Sequence, residues 1–451
     1  MSNDQSDDSR QSDNSTFRWV AIGAAILLLG MLFGTSLLLY TAYSVFAVVA
    51  ASLFLTKIWS SSPKAHRRPI PVEVEIGQTI PIEVEIENPS KMLIPWLLTE
   101  DLLPRSALIY KVPALAVDGA RIQVLALAGS STQTFSYNIT CNRRGYYQIG
   151  PTVLETGDLM GLNRRYRVGA DPQFLMVMPK VVPLEGYEIQ SRRPIGEIRM
   201  THQVMDDPTR IVGIRQWQPG DPMRRVHWSA TARTGKLHSK IYEPSSIAGA
   251  TLVLDLHVDT NPRQHEPMRS ETAVTAAASI CNALYQMKQP FGLVSNGRDA
   301  ADRIRSEGMM TDYRTRDAAQ QNLKMRDDDS RLRPVYIEPD RGPNQYRDTL
   351  RTLARLERTD GLSLADAILD VEPRLARDTS LVVILQQCNE AAAEVLSGLS
   401  RRGWAVSAII NTYDINDFSR TAGPLIAGGI ETLHLLDESS IPTICRKMLA
   451  R

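Results

Sequence analysis

The order of apolar and polar positions first marks an uncharged stretch near the N-terminus. From Trp19 to Trp59 the only charged residue is Lys57. One helix through this stretch of roughly 40 residues would run about 60 Å, about twice the hydrocarbon thickness of a bilayer. The pattern therefore predicts a transmembrane hairpin over residues 17–59, with two spans that turn near 34–36. The stretch is too long for a signal peptide, and one tilted span with an interfacial extension remains the alternative.

Residues 70–185 follow a different pattern, in which apolar and polar side chains alternate. The alternation covers residues 72–76, 80–86 and 134–140, and an Asn-Pro-Ser turn interrupts it at residues 88–90. Alternation is the period of a strand with one buried face, and short strands at this spacing are typical of a sandwich. We predict an immunoglobulin-like β-sandwich over residues 70–185.

From residue 246 onward, short apolar runs alternate with segments of helical period. The runs are nearly continuous, as in strands covered on both faces, and they occupy residues 251–256, 291–294, 381–385, 404–410 and 430–436. Strands that alternate with helices indicate a parallel, doubly wound α/β sheet, which we predict over residues 246–451. Residues 297–345 are rich in Arg, Asp, Gln and Asn, and we predict a mobile insertion there, outside the sheet.

Net charge and cysteine content limit the class of partner and the cellular compartment. The formal net charge is +1, which gives no overall field for nucleic acid, so no nucleic-acid partner is predicted. The 4 cysteines lie far apart in the sequence. That spacing favours neither a disulfide framework nor a zinc site, and it fits a reducing compartment. Residues 1–16 are almost entirely polar and predict a disordered tail.

Basic residues flank both predicted spans, whereas the turn between the spans carries no charge. The flanking residues are Arg10, Arg18, Lys57, Lys64, Arg67 and Arg68. Because basic residues stay on the cytoplasmic side, this distribution predicts a two-pass protein of the cell membrane. The lipid bilayer is then a partner of the hairpin, and the two globular regions face the cytoplasm.

Residues 200–245 combine Arg, Trp, Asp and Gly in an unusual order. Pro219 and Gly220 predict a turn, Asp221 with the following proline predicts a helix N-terminus at about residue 223, and Gly235 predicts the end of that helix. A family resemblance rests on Gly220, Asp221, Arg224, His227, Trp228 and Arg233, followed by a Leu-x-x-Lys strand. This pattern resembles the signature of the bacterial domain-of-unknown-function family fifty-eight.

The resemblance implies both a fold and a setting. It implies a von Willebrand factor A-like domain for residues 246–451. Members of the family are commonly encoded beside MoxR-type AAA+ ATPases, so such an ATPase is the implied partner. The implied role is that of a membrane-anchored scaffold or adaptor that helps to assemble or remodel a protein complex. The family has no established reaction.

Two interpretations of residues 200–245 follow from their chemistry. In the first, the segment binds a partner's carboxylates or phosphates through basic groups and stacking anchors, namely Arg215, Arg224, Arg225, Arg233, Trp217 and Trp228. In the second, which we favour, Asp221 and Glu243 pair with the arginines, and the two tryptophans hold a turn between the globular regions.

The end of the first predicted α/β strand is another candidate site, because ligands of open α/β sheets bind beyond the carboxyl ends of the strands. A-type domains hold a divalent ion there with Asp-x-Ser-x-Ser. Both serines are missing here, where the stretch is Asp-Leu-His-Val-Asp. If the backbone stays extended, Asp255, His257 and Asp259 share one face and can bind manganese or zinc. A solvated strand end is the alternative.

Sequence motifs of known catalytic sites are missing. The chain has no GxSxG and no HExxH, and the phosphate-loop pattern fails around Gly235 and Lys236. We therefore predict no enzyme activity and no cofactor other than a divalent ion at Asp255. The alternative functions are a metal-dependent enzyme that uses Asp255 and a binder of anionic ligands that uses the arginines of residues 200–245.

Overall fold

The computed structural model describes residues 5–34, 36–109, 112–158, 163–184, 205–218, 226–245, 249–307, 330–376 and 379–444. The described residues form two compact units. Unit 1 contains the residues up to Met178 together with 301–307, and unit 2 contains Pro179–Ala300 and the residues from 330 onward. Of the predicted binding residues, Gly220, Asp221, Arg224 and Arg225 lie outside the described residues.

Two helices open the chain as an antiparallel hairpin. They are α1 (Gln5–Phe33) and α2 (Ser36–Ser61). Glycines allow the close approach, because a Cβ at Gly23 would lie 3.2 Å from the Phe46 ring and a Cβ at Gly30 would lie 3.1 Å from Leu38 Cβ. Among the described residues, α2 is the helix long and apolar enough to cross a membrane, whereas the apolar part of α1 is shorter.

Helix α1 begins at Gln5, within the tail that the sequence predicts to be disordered, and residues 1–4 lie outside the described residues. The prediction for residues 1–16 is therefore wrong from that point. Once the apolar run has formed a helix, each further residue adds a hydrogen bond without a new nucleation step, so the helix extends back into polar sequence.

Eleven of the strands in unit 1 enclose one apolar core. They are β1 (Lys64–Arg67), β2 (Glu73–Val74), β3 (Thr79–Asn88), β4 (Ile94–Asp101), β5 (Leu115–Asp118), β6 (Ile122–Leu127), β7 (Ser131–Cys141), β8 (Gly145–Ile149), β9 (Thr152–Gly157), β10 (Arg164–Ala170) and β11 (Gln173–Val177). The sheets have the orders β1-β3-β7-β5, β10-β9-β4-β6 and β2-β11-β8. A short helix, α3 (Arg105–Leu108), follows β4.

The apolar positions of the alternating sequence pattern form this core. In β3, Ile80, Ile82, Val84 and Ile86 are all buried, and the acidic residues between them point away. Residues of all three sheets join one apolar cluster. The β-rich N-terminal region predicted from the sequence is confirmed.

Unit 2 begins with a two-stranded antiparallel ribbon that contains the signature. Its strands are β12 (Met205–Gln216) and β13 (His238–Ser245). One short helix, α4 (Trp228–Thr234), lies between them.

A six-stranded sheet forms the centre of unit 2. Its strands are β14 (Ala250–Leu254), β15 (Phe291–Ser295), β17 (Val335–Asp340), β19 (Ser380–Leu385), β20 (Val406–Asn411) and β21 (Glu431–Leu435). The order is β17-β15-β14-β19-β20-β21, parallel except for β17. Two short strands, β16 (Arg298–Asp299) and β18 (Leu356–Glu357), pair separately.

Helices accompany the strands of this sheet. They are α5 (Met268–Gln286), α6 (Ala300–Glu307, whose residues from 301 belong to unit 1), α7 (Pro343–Arg355), α8 (Leu364–Val371), α9 (Glu390–Arg401), α10 (Ile415–Ala427) and α11 (Ile441–Ile444). Side chains of α8, α9 and α10 share an apolar cluster with Val253 and Val383. Leu252 and Leu254 are buried outside that cluster, and α5 packs on β14. The apolar runs are continuous because both faces of the strands are covered.

The predicted insertion over residues 297–345 is partly wrong. Within it, β17 pairs with β15 and forms the edge of the main sheet. An edge strand is covered on fewer sides, and the side chains of β17 are half-buried or exposed. Its apolar residues are limited to residues 335–337, and Pro339 within the strand argues against a strand in the sequence.

Candidate functional site

The described part of the signature contains a helix that starts later than predicted. His227, not Asp221, is its N-cap: His227 Nδ1 accepts a hydrogen bond from the backbone N–H of Ala230 at 3.0 Å. Gly235 ends the helix with a φ of 69°, as the sequence predicted. His227 thus has a local structural task that needs no partner.

The two signature tryptophans differ in their surroundings. Trp217 is half-buried, and its backbone N–H donates to the Leu237 carbonyl at 2.9 Å. Trp228 is 65% exposed, and none of the residues of α4 is buried. The prediction that both tryptophans hold the turn between the globular regions stays a prediction, because residues 185–204 and 219–225 lie outside the described residues.

The arginines of the signature have equally different positions. Arg215 is half-buried in β12, and its Nη1 donates to the carbonyl of Gln216 at 3.3 Å. Arg233 is exposed in the last turn of α4. Of these two arginines, one is therefore half-buried in a strand and the other is exposed on the helix.

A second group of polar residues lies at the carboxyl edge of the main sheet. Asp255 follows β14 directly and is 1% exposed. One carboxylate oxygen accepts from Asn296 Nδ2 at 2.8 Å and from the His257 backbone N–H at 3.1 Å. The other accepts from Thr260 Oγ1 at 2.6 Å. Burial raises the pKa of Asp255, and its hydrogen bonds from Thr260, Asn296 and His257 oppose that rise.

The predicted metal ligands do not assemble. After Asp255 the backbone turns instead of staying extended, with the N–H of Asn261 donating to the His257 carbonyl at 3.1 Å. His257 Nδ1 already accepts from the backbone N–H of Asp259 at 3.2 Å. Among the residues that the structure describes, no group of three or more His, Cys, Asp or Glu is arranged to hold a metal ion. The prediction that Asp255, His257 and Asp259 share one face is wrong, because it required the backbone after β14 to stay extended.

An arginine that the sequence did not single out lies on the other side of the same edge. Arg269, in the first turn of α5, is 1% exposed. Its Nη1 donates to Asn411 Oδ1 at 2.8 Å and to the Leu435 carbonyl at 3.3 Å. The Tyr413 ring lies over the guanidinium, 3.2 Å from Cζ to the ring centroid. Burial lowers the pKa of Arg269, and Tyr413 and nearby carboxylates counteract it.

The guanidinium of Arg269 is only partly satisfied. Its Nε and Nη2, and the neighbouring Ser270 Oγ, are buried without a hydrogen-bond partner among the described residues. Glu266, one of the carboxylates that act on Arg269, has both oxygens in use: they accept from the Ser270 N–H at 3.4 Å and from Gln386 Nε2 at 2.9 Å. A cation with unused donors therefore lies at the edge where ligands of α/β sheets bind.

One signal in the sequence indicated this position. Arg269 stands at the start of a helix that is rich in Ala, and Asn411 ends an apolar strand. A charged residue and an amide at two such boundaries suggest a pair at one edge of the sheet. Their contact joins residues far apart in the sequence, so the pairing itself requires the fold.

Together these elements define the class of protein: an apolar helical hairpin, a β-rich unit, and an α/β unit with a mainly parallel sheet. Residues 213–312 match the family described as "Protein of unknown function DUF58". That span covers β13, α4 and the edge with Asp255 and Arg269, and it confirms the family resemblance over the matched residues.

A curated relative agrees with this match. The chain is 22% identical over 300 residues to "Uncharacterized protein YeaD" of Bacillus subtilis (strain 168), which covers 63% of this chain and 71% of that protein. Solution NMR and crystal structures of the CARDB domain of PF1109 from Pyrococcus furiosus, the latter in complex with di-metal ions, are 11% and 12% identical. Each covers 26% of this chain, and 94% and 91% of its own, with a TM-score of 0.18.

Proposed function

We propose that the protein is a membrane-anchored adaptor that binds a protein partner through the exposed surface of α4. The observation that carries this proposal is the 65% exposure of Trp228. A tryptophan buries a large apolar area when a partner covers it, and exposed tryptophans are enriched among the residues that dominate binding energies. The helix does not use this side chain as its cap, since its N-cap is His227.

The surroundings of Trp228 fit such a contact. Ile214 on β12 and Leu237 before β13 are also exposed apolar residues of the same ribbon. Exposed Arg233 and Lys236 add positive charge to the same segment. An apolar anchor with basic neighbours is suited to an acidic protein surface.

The anchoring and the partner are part of the same proposal. The α1–α2 hairpin is proposed to cross the cell membrane twice, with both units in the cytoplasm, unit 1 being immunoglobulin-like and the sheet of unit 2 von Willebrand factor A-like. The mainly parallel strand order and the position of Asp255 at the end of β14 support the last assignment. A MoxR-type AAA+ ATPase is proposed as the partner, in the assembly or remodelling of a complex.

Replacement of the exposed indole tests the adaptor directly. Full-length protein with Trp228→Ala is expected to bind the ATPase at least about 30-fold more weakly, as a hot-spot truncation of about 2 kcal/mol would. Its melting temperature is expected to stay unchanged, because an exposed side chain contributes little to folding. The measurements are co-purification from membranes with identification of the bound proteins, and titration with the purified ATPase.

The matched control is Leu369→Ala, which removes another exposed apolar side chain from unit 2. It should bind as the unchanged protein does. Reproducible recovery of no ATPase, or equal binding by the Trp228→Ala protein, would refute the proposal.

A second candidate function has its own observation. The unused donors of Arg269 favour a small anionic group, a carboxylate or phosphate, as a ligand at the carboxyl edge of the sheet. Tyr413 is 49% exposed and covers this guanidinium, so its ring would have to rotate away to admit the ligand. This binding is compatible with an adaptor, because an acidic side chain of a partner carries the same group.

A further inference from the structure

The hairpin and the β-rich body of unit 1 are joined along α2. The side-chain amide of Asn163 donates to Ser52 Oγ at 3.2 Å, and Arg167 Nη1 donates to the Ser61 carbonyl at 2.8 Å. Between these points Thr56 and Trp59 are buried, and Trp59 belongs to the core of the strands. The body therefore covers one face of α2 from Ser52 to Ser61, whereas Leu53 and Phe54 on another face of the helix are exposed. The bilayer cannot occupy the face that the body covers.

This contact shortens the part of the hairpin that can enter a bilayer. The register set by Gly23 with Phe46 and Gly30 with Leu38 places Arg18 level with about residue 51. Each arm that remains has about 15 residues and is about 22 Å long, whereas the hydrocarbon core is about 30 Å thick. A hairpin this short buries its apolar surface only if the body lies directly on the headgroups.

Strand directions show which end of the body meets the membrane. Arg164 at the start of β10 pairs with Gly157 at the end of β9, and β4 runs antiparallel to β9 from Ile94. The start of β4 and the start of β10 therefore lie at one end of unit 1. Along β10, α2 proceeds from Ser52 to Ser61, so the free part of the hairpin projects beyond this same end.

The side chains at this end suit an anionic lipid surface. Leu93 is 57% exposed and Met92 is exposed beside it, in the loop that leads to β4. Lys91 and Arg165 are exposed, and the Arg164 side chain is 63% exposed. Apolar side chains that enter the interface, with cations at headgroup level, form the combination that holds proteins on anionic leaflets.

We propose that this end of unit 1, formed by Lys91, Met92, Leu93, Arg164 and Arg165, docks on the headgroups of anionic phospholipids. The proposal rests on the membrane anchoring proposed above and adds a second, independent contact to it. The hairpin supplies insertion, and the docked loops fix the height of the body above the bilayer. The body is then held against the membrane rather than tethered at a distance.

Environment-sensitive fluorophores at single cysteines test this contact. The full-length protein, with Cys388 and Cys445 changed to Ser, is labelled after Leu93→Cys, Ile109→Cys or Ser36→Cys. It is reconstituted into vesicles of phosphatidylcholine with and without phosphatidylglycerol. Ile109 is the matched control because it is exposed after α3, at the other end of β4. Shallow nitroxide lipids are expected to quench the label at residue 93 and not the label at residue 109.

Charge reversal tests whether the basic residues bind the anionic headgroups. Lys91→Glu combined with Arg164→Glu and Arg165→Glu is expected to abolish quenching at residue 93 in vesicles with phosphatidylglycerol, whereas Arg105→Glu at the far end leaves it unchanged. Quenching of the Ser36 label by deep nitroxide lipids reports hairpin insertion separately. Deep quenching at 36 without quenching at 93 overturns the docking and leaves the anchor standing. Absence of quenching at all three positions overturns both.

Discussion

Two charged residues at the carboxyl edge of one sheet behave differently although both are buried to the same degree. Asp255 and Arg269 are each 1% exposed. Both oxygens of the Asp255 carboxylate have donors from the same loop or from Asn296. The guanidinium of Arg269 uses Nη1, while its Nε and Nη2 have no acceptor among the described residues.

This difference distinguishes a buried charge that stabilises the fold from a buried charge that can still bind a ligand. A buried ion whose hydrogen bonds are complete stabilises the loop around it and offers little to a ligand. A buried ion with unused donors carries a desolvation cost that a ligand can relieve. Burial alone would have ranked the two residues as equal, and the motif resemblance would have ranked Asp255 first.

The largest expected effect is the loss of the carboxylate that organises the loop. Asp255→Ala leaves Asn296 Nδ2 and the His257 N–H without this acceptor and leaves the Thr260 hydroxyl with only the His257 carbonyl at 3.2 Å. We expect a loss of about 3–5 kcal/mol in local stability. Hydrogen exchange of the segments around β14 and α5 measures it in the full-length protein. Asp259→Ala is the control, since its side chain is 86% exposed and should change little. A cost for Asp255→Ala no larger than for Asp259→Ala would contradict the assignment.

Asp255 should also make this local stability depend on pH. Burial raises the pKa of Asp255 above the ordinary value of an aspartate, so the folded loop binds the proton more tightly than the open one. The contribution is therefore complete below about pH 4 and is lost as the pH rises through the folded-state pKa, by at most about 1.4 kcal/mol per pH unit. Hydrogen exchange between pH 4 and 8 should show this slope. The Asp255→Asn protein, which cannot titrate there, should lack it; equal slopes would exclude Asp255 as its source.

The sequence predicted those parts of the fold that depend on local periodicity. Side chains alternate in β3 because one face is buried, and β14 and β19 are continuously apolar because both faces are covered. Those strands were therefore predictable from the sequence. The edge strand β17 was not, because its partner β15 covers one side only and allows polar residues. The N-cap of α4 was misplaced, since Asp221 and His227 both can accept a backbone N–H and only the local path of the chain decides between them.

The site was less predictable because it depends on contacts between distant segments. Asp255 was identified because it follows a predicted strand. No pattern in the sequence predicts the turn from His257 to Asn261, which prevents Asp255, His257 and Asp259 from sharing one face. Arg269 meets Asn411 and Leu435 across two strand connections. No periodicity in the sequence predicts that Asn411 and Leu435 contact the Arg269 guanidinium. None predicts that its Nε and Nη2 lack an acceptor among the described residues.

The smallest expected effect concerns Arg269 itself and tests the comparison most directly. Arg269→Met keeps an unbranched chain under Tyr413 and removes a cation that is only partly compensated. The loss of the bonds to Asn411 and Leu435 is offset by the relieved desolvation, so we expect a cost of about 1–2 kcal/mol, well below that of Asp255→Ala. Titration with inorganic phosphate and acetate should show binding by the unchanged protein and none by Arg269→Met, whereas Arg263→Met, which removes an exposed arginine before α5, should bind normally. If Arg269→Met cost as much as Asp255→Ala and anion binding were the same in both arginine variants, the unused donors would have no functional meaning, and the two buried charges would be equivalent structural elements.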